Sequence, residues 1–91
     1  MTRYTVAYTN EALASLTRIW LSSTDRHSIT RAGDEVDRVL RDDAQIKGIA
    51  VGSTLRQLIV VPLVLEFTVE EADRLVLIWS VRHIGHMTNG R

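Results

Sequence analysis

The chain opens on an alternation. Tyr4, Val6 and Tyr8 are separated by Thr5, Ala7 and Thr9, the period-two pattern of a strand with one buried face. The period then changes. Ala12, Leu13, Leu16, Ile19 and Trp20 recur on one helical stripe, Thr9 or Asn10 supplies an N-cap, and the element runs out near Ser22-Ser23. Residues 24–27 read as a polar turn, after which Ile29, Ala32, Val36, Val39 and Leu40 define a second helix with Asp25 or Ser28 at its start. The opposite face of that helix carries Arg31, Asp34, Asp37, Arg38 and Arg41. Asp34–Arg38 and Asp37–Arg41 are spaced i,i+4 with the acid first, as suits a solvated surface.

Between Asp42 and Ser53 neither period holds, and Gly48 and Gly52 bracket Ile49-Ala50-Val51, so this segment reads as a loop crossing from the helices to the sheet. Three strands follow: Leu55 to Val61, Leu63 to Val69 beyond Pro62, and Leu75 to Val81 beyond the polar turn Glu70-Glu71-Ala72-Asp73. Pro62 has no N–H and marks the bend between the first two of these, or a bulge there. Short connections make the three antiparallel neighbours. The pattern therefore predicts an α+β domain of order β-α-α-β-β-β, a two-helix hairpin packed on a mainly antiparallel four-stranded sheet, over residues 1–84, with 85–91 as a flexible tail.

The expected core is Leu16, Trp20, Val36, Leu40, Leu65, Phe67 and Leu77, between the hairpin and one sheet face; Trp20 and Trp79 both fall on apolar stripes and read as core. In the last strand Leu75, Leu77, Trp79 and Val81 alternate with Val76 and Ile78, so both faces are apolar. A hairpin covers one face, which leaves Val76, Ile78 and Val64 awaiting other cover, as a partner surface would.

Composition narrows the function. With 45% apolar and 24% charged residues the chain is too apolar for intrinsic disorder. Cysteine is absent, which removes disulfides, zinc–thiolate sites and thiol nucleophiles, and makes the cytoplasm the expected location. No segment approaches the roughly 20 apolar residues that span a bilayer. Eleven Lys and Arg balance eleven Asp and Glu, so any contact with nucleic acid must be local. His27 and His86 stand alone, no His, Asp or Glu cluster has metal-ligand spacing, and Gly48 and Gly52 lack the Lys and Ser/Thr of a phosphate loop. Neither a metal nor a cofactor is indicated.

The order of elements, with Tyr4-Thr5-Val6-Ala7-Tyr8, Ile19-Trp20, Val36-Asp37-Arg38-Val39-Leu40, Leu55-Arg56-Gln57-Leu58, Leu63-Val64-Leu65-Glu66-Phe67 and Val76-Leu77-Ile78-Trp79-Ser80-Val81-Arg82-His83, resembles the RelE/ParE superfamily, the toxins of bacterial type II toxin–antitoxin systems. The resemblance implies a toxin neutralised by a cognate antitoxin that wraps over the hairpin and the sheet, and it admits a homodimer. RelE-like members cut mRNA on the ribosome, and ParE-like members poison DNA gyrase. A binding module that keeps the fold without toxicity is the alternative from another class.

For RNA cleavage the resemblance points to Arg56 and Arg82 as phosphate ligands, His83 as general acid or base, and Lys47 as an RNA contact. The residues also admit a plainer reading, in which Arg56 pairs with Glu66 across neighbouring strands. Alternation sends Arg82 and His83 to opposite faces of a regular strand. No tyrosine follows the last strand, where Ile84 stands, and the lysines around the crossing loop are reduced to Lys47. Gyrase inhibition needs no catalytic set.

Overall fold

A computed structural model describes residues 3–43, 49–52 and 54–84, the side chain of Asp43 excepted. Strand β1 (Thr5–Tyr8) leads into helix α1 (Asn10–Ser22), α2 (Arg26–Asp43) follows, and four strands complete the chain: β2 (Ile49–Ala50), β3 (Arg56–Val60), β4 (Leu63–Glu70) and β5 (Leu75–His83). They form one sheet of order β1-β5-β4-β3-β2. The hairpin carries the chain from one edge of the sheet to the other. A meander then returns it, antiparallel at every step, until β5 docks parallel to β1. That crossing makes the helices lie over one face. Lys47 and the tail 85–91 lie outside the described residues.

Local chemistry explains the boundaries. The Thr9 hydroxyl accepts a hydrogen bond from the Ala12 N–H at 3.1 Å and so caps α1. Asp25 does the same for α2, accepting from the Ser28 N–H at 3.1 Å. Arg26 closes the other side of the turn by donating to the carbonyls of Trp20 and Leu21, which the end of α1 leaves without helical partners. The β3–β4 turn contains a cis Val61–Pro62 bond, and Arg74 takes positive φ (50°) in the β4–β5 turn.

The sheet has five strands where the sequence predicts four. The added strand is Ile49–Ala50, inside the crossing loop, paired antiparallel with Arg56 and Gln57. Two residues are too few to show a period. What fixes them is the backbone of β3 and a turn closed by Val51 N–H donating to the Leu55 carbonyl at 2.9 Å.

The core lies between the hairpin and one sheet face. Val36, Leu40, Leu65 and Phe67 are buried as expected, with Ala12, Ile29, Ala32, Leu63, Val76, Ile78 and Val81 around them; Leu16 is half-buried against this cluster. Two expected members differ. Trp20 is 38% exposed, because the hairpin covers only part of the apolar arc of α1, and Leu77 is half-buried on the other sheet face.

The larger correction concerns β5. Glu66 pairs with Ser80 but Phe67 pairs with Ile78, so Trp79 is an extra residue, a β-bulge. The bulge changes the phase of the alternation. Val76 and Ile78 face the helices before it and Val81 does so after it, so all three are buried, and the grouping of Leu77, Trp79 and Val81 on one face does not hold. Val76 and Ile78 have no exposed surface, Val64 is 5% exposed, and none of them awaits a partner. Trp79 is 49% exposed instead.

Candidate functional site

Register sorts the sheet side chains into two faces, since directly paired residues point the same way. The helix-covered face holds Arg56, Phe67 and Ile78 in one row, Leu58, Leu65 and Val81 in the next, and Val60, Leu63 and His83 in the last. The open face holds Gln57, Glu66 and Ser80, then Ile59, Val64 and Arg82, with Thr68 and Leu77 to one side. Trp79 joins this open face, its indole N–H donating to the Thr68 hydroxyl at 2.9 Å. The bulge thus aims an aromatic ring outward at the centre of the sheet. Ile59 stands 52% exposed on the same face, so the face presents two large apolar side chains among polar ones, with a charged cluster between the strands.

That cluster is an ion pair between Arg82 and Glu66, 3.8 Å apart, with Arg82 exposed and Glu66 half-buried. Glu66 therefore meets Arg82 of β5, and its direct cross-strand neighbour on β3 is Gln57; Arg56 stands opposite Phe67. Arg56 and Arg82 belong to opposite faces. They also differ in level along β4 by the step from Phe67 to Val64, about 10 Å of strand. His83 follows the helix-covered register and borders a cavity with Asp25, Ser28 and Pro62 at the hairpin turn. Of the residues proposed for RNA chemistry, the sheet gives Arg82 to the open face and Arg56 and His83 to the other. Among the described residues, no His, Asp and Glu side chains are grouped closely enough to hold a metal ion, and no helix is long and apolar enough to cross a membrane.

A polar pair that the sequence does not reveal lies under the hairpin. The Tyr8 hydroxyl donates to Asp37 Oδ1 at 3.4 Å, across 29 residues of chain. Burial pushes the Tyr8 phenol well above its ordinary value, with the Asp37 charge adding to the effect. Burial also raises the Asp37 carboxyl, although the Tyr8 hydrogen bond and Arg41 work the other way. Asp37 thus belongs to a half-buried contact and not to the solvated face expected of it, where Arg38 pairs with Glu35. An acid whose folded pKa is raised contributes most below the ordinary carboxylate range and loses that contribution as pH rises through its folded value. Asp37→Asn removes this dependence. Its urea midpoint relative to the parent should rise between pH 4 and pH 7; a constant difference over that range would show that Asp37 is not desolvated.

Comparison by sequence finds no matching family profile, and no curated protein matches significantly. Comparison by structure does. A chain of the RelBE2 toxin–antitoxin complex of Mycobacterium tuberculosis aligns over 91% of this chain and 93% of its own, with a TM-score of 0.72 at 17% identity. The chromosomal ParDE system of P. aeruginosa gives 0.66 at 21% identity, over 90% of this chain and 97% of that one. This is the RelE/ParE fold. The isolated RelE toxin of E. coli carries it too, with a TM-score of 0.66 at 17% identity over 93% of this chain and 88% of the toxin. At such identities the RelE/ParE likeness is one of architecture: strand, helical hairpin and returning meander are shared, and side-chain chemistry has to be read from this chain's own residues.

Proposed function

We propose that this chain is the toxin of a type II toxin–antitoxin pair, held inactive by a cognate antitoxin, and that it works by gripping a protein target through the open sheet face around Trp79. The observation that carries this reading is the bulge. It spends a tryptophan on solvent, against Thr68 and on the same face as Ile59 and the Glu66–Arg82 pair, on a sheet whose other face the helices close. Exposed aromatics of this kind mark interaction surfaces. The RelE/ParE architecture over nine-tenths of the chain supports the toxin assignment.

Between the two activities linked to this fold, the division of charges favours gyrase poisoning. A phosphate clamp and a proton shuttle must reach one phosphate together, whereas Arg82 lies on the opposite face from His83, and Arg56, on the His83 face, is removed from it by the step from Phe67 to Leu63, about 13 Å of strand. One observation favours the mRNA-cleaving reading: Arg82 and Trp79 are a cation and an exposed ring on one face, a combination suited to a nucleotide. Induction of the gene alone in bacteria separates these. Growth arrest with loss of gyrase supercoiling and intact mRNA is the expected result. Arrest with cleaved mRNA, abolished by both Arg56→Ala and Arg82→Ala in folded protein, would move the assignment to RNA cleavage, and normal growth at good expression would make the chain a non-toxic binding module.

A further inference from the structure

The two helices part above Tyr8 and leave a cleft of about 400 Å³, within the size range of small-ligand sites. Leu16 and Ile29 form its walls, with the Trp20 indole at the rim. That indole is held in place, its N–H donating at 3.1 Å to the hydroxyl of Thr30, which also lines the cleft, and Arg26 lying 4.8 Å over the ring. A wall that is already locked loses little freedom when something packs on it. On the α2 side the cleft is bordered by Gly33, where an added Cβ would meet no atom within 4 Å. A side chain at residue 33 would therefore start in open space at the cleft's border.

The end of the cleft is acidic. Asp37 is half-buried there, and Asp34 stands one turn earlier on the same helix. The Tyr8 hydrogen bond at 3.4 Å is long, and Arg41, which also acts on Asp37, does not line the cleft, so the carboxylate keeps part of the cost of its removal from water on the cleft side. A cation entering between apolar walls would offset more, through charge-assisted hydrogen bonds in a sheltered site. The required ligand has an alkyl stem and a cationic head. Of the two natural side chains of that form, the planar fork of arginine suits two carboxylates a turn apart better than the compact ammonium of lysine.

We propose that the cleft between α1 and α2 is a socket for one arginine side chain of a partner protein, its stem along Leu16 and Trp20 and its guanidinium at Asp37 and Asp34. It rests on the antitoxin reading only for the protein that presents the arginine. Exposed Leu13 and Leu21 on the adjacent flank of α1 extend the contact surface for the segment bearing it.

The probe is n-butylguanidinium, which reproduces the side chain, followed by the NMR signals of the Trp20 indole N–H and the Gly33 amide. Saturable shifts at millimolar probe are expected for the intact chain, with n-butylurea, its uncharged counterpart, much weaker. Asp37→Asn should weaken binding roughly tenfold or more, the loss of one charge-assisted hydrogen bond. Gly33→Met fills the cleft and replaces a helical glycine with a better helix former, so it should fold and not bind. Equal binding of n-butylurea, an unchanged Asp37→Asn affinity, or shifts that never saturate would each overturn the socket. The assay is independent of growth arrest: a toxic chain that ignores the probe loses only the socket, and a non-toxic chain that binds it loses only the toxin assignment.

Discussion

Phe67→Ala should lose about 3–5 kcal/mol of stability, the usual cost of truncating a fully buried phenylalanine. Phe67 has no exposed surface and lies at the middle of the layer between hairpin and sheet, where Leu40, also fully buried, arrives from α2. Deleting the ring leaves a cavity that neither side can easily fill, because the helices are tied to opposite edges of the sheet by β1 and β2. A small domain typically holds about 5–15 kcal/mol in all, so the variant should sit near its unfolding threshold. With a urea dependence of about 1–3 kcal/mol per molar, its midpoint should fall by more than 1 M. Leu40→Ala should cost about 2–5 kcal/mol by the same mechanism. Ile59→Ala on the open face is the control and should stay within about 0.5 kcal/mol. A Phe67→Ala midpoint no lower than the control's would mean that the hairpin does not close on this face.

Two single-residue deletions in β5 should give opposite results. Removing Trp79 takes out the residue that the bulge inserts, and the remaining pairs, Glu66 with Ser80 and Phe67 with Ile78, become consecutive in a regular ladder. Val76, Ile78 and Val81 then face the helices by simple alternation. The chain should therefore fold with a modest change in midpoint and, having lost the exposed ring, should no longer arrest growth. Removing Leu77 instead makes Val76 and Ile78 adjacent, and one of two fully buried side chains must turn to the open face. That deletion should abolish cooperative unfolding and disperse no NMR spectrum of a folded domain. If the Leu77 deletion folds as well as the Trp79 deletion, β5 has no fixed register and the bulge has no role. If the Trp79 deletion folds and still arrests growth, the open face is not the working surface.

Much of the architecture is legible in the chain because it is written in local periods. The alternation of Tyr4 to Tyr8, the stripe from Ala12 to Ile19 and the stripe from Ile29 to Leu40 each select one element, and Thr9 and Asp25 begin the helices for reasons contained within three residues. Pro62 marks the β3–β4 turn because a residue without an N–H cannot continue the ladder. Within β5 the signal fails. Its residues are apolar in both phases, so alternation cannot tell which set faces the helices, and a bulge needs only one extra residue to exchange them. Burial of Val76 and Ile78 and exposure of Trp79 follow from pairing with β4, which depends on another strand.

The candidate site divides the same way. The separation of Arg82 from His83 could be read from the alternation of one strand, while the separation of Arg56 from Arg82 depends on two registers at once. Trp20 lies on the apolar stripe of its helix yet reaches solvent, because a helical period gives the direction of a side chain but not the width of the surface that meets it. Ile49–Ala50 becomes a strand only because β3 offers it a partner. Tyr8 and Asp37 show no relation in sequence and form the floor of a cleft in space, since contacts between distant residues are set by how elements pack and leave no period behind.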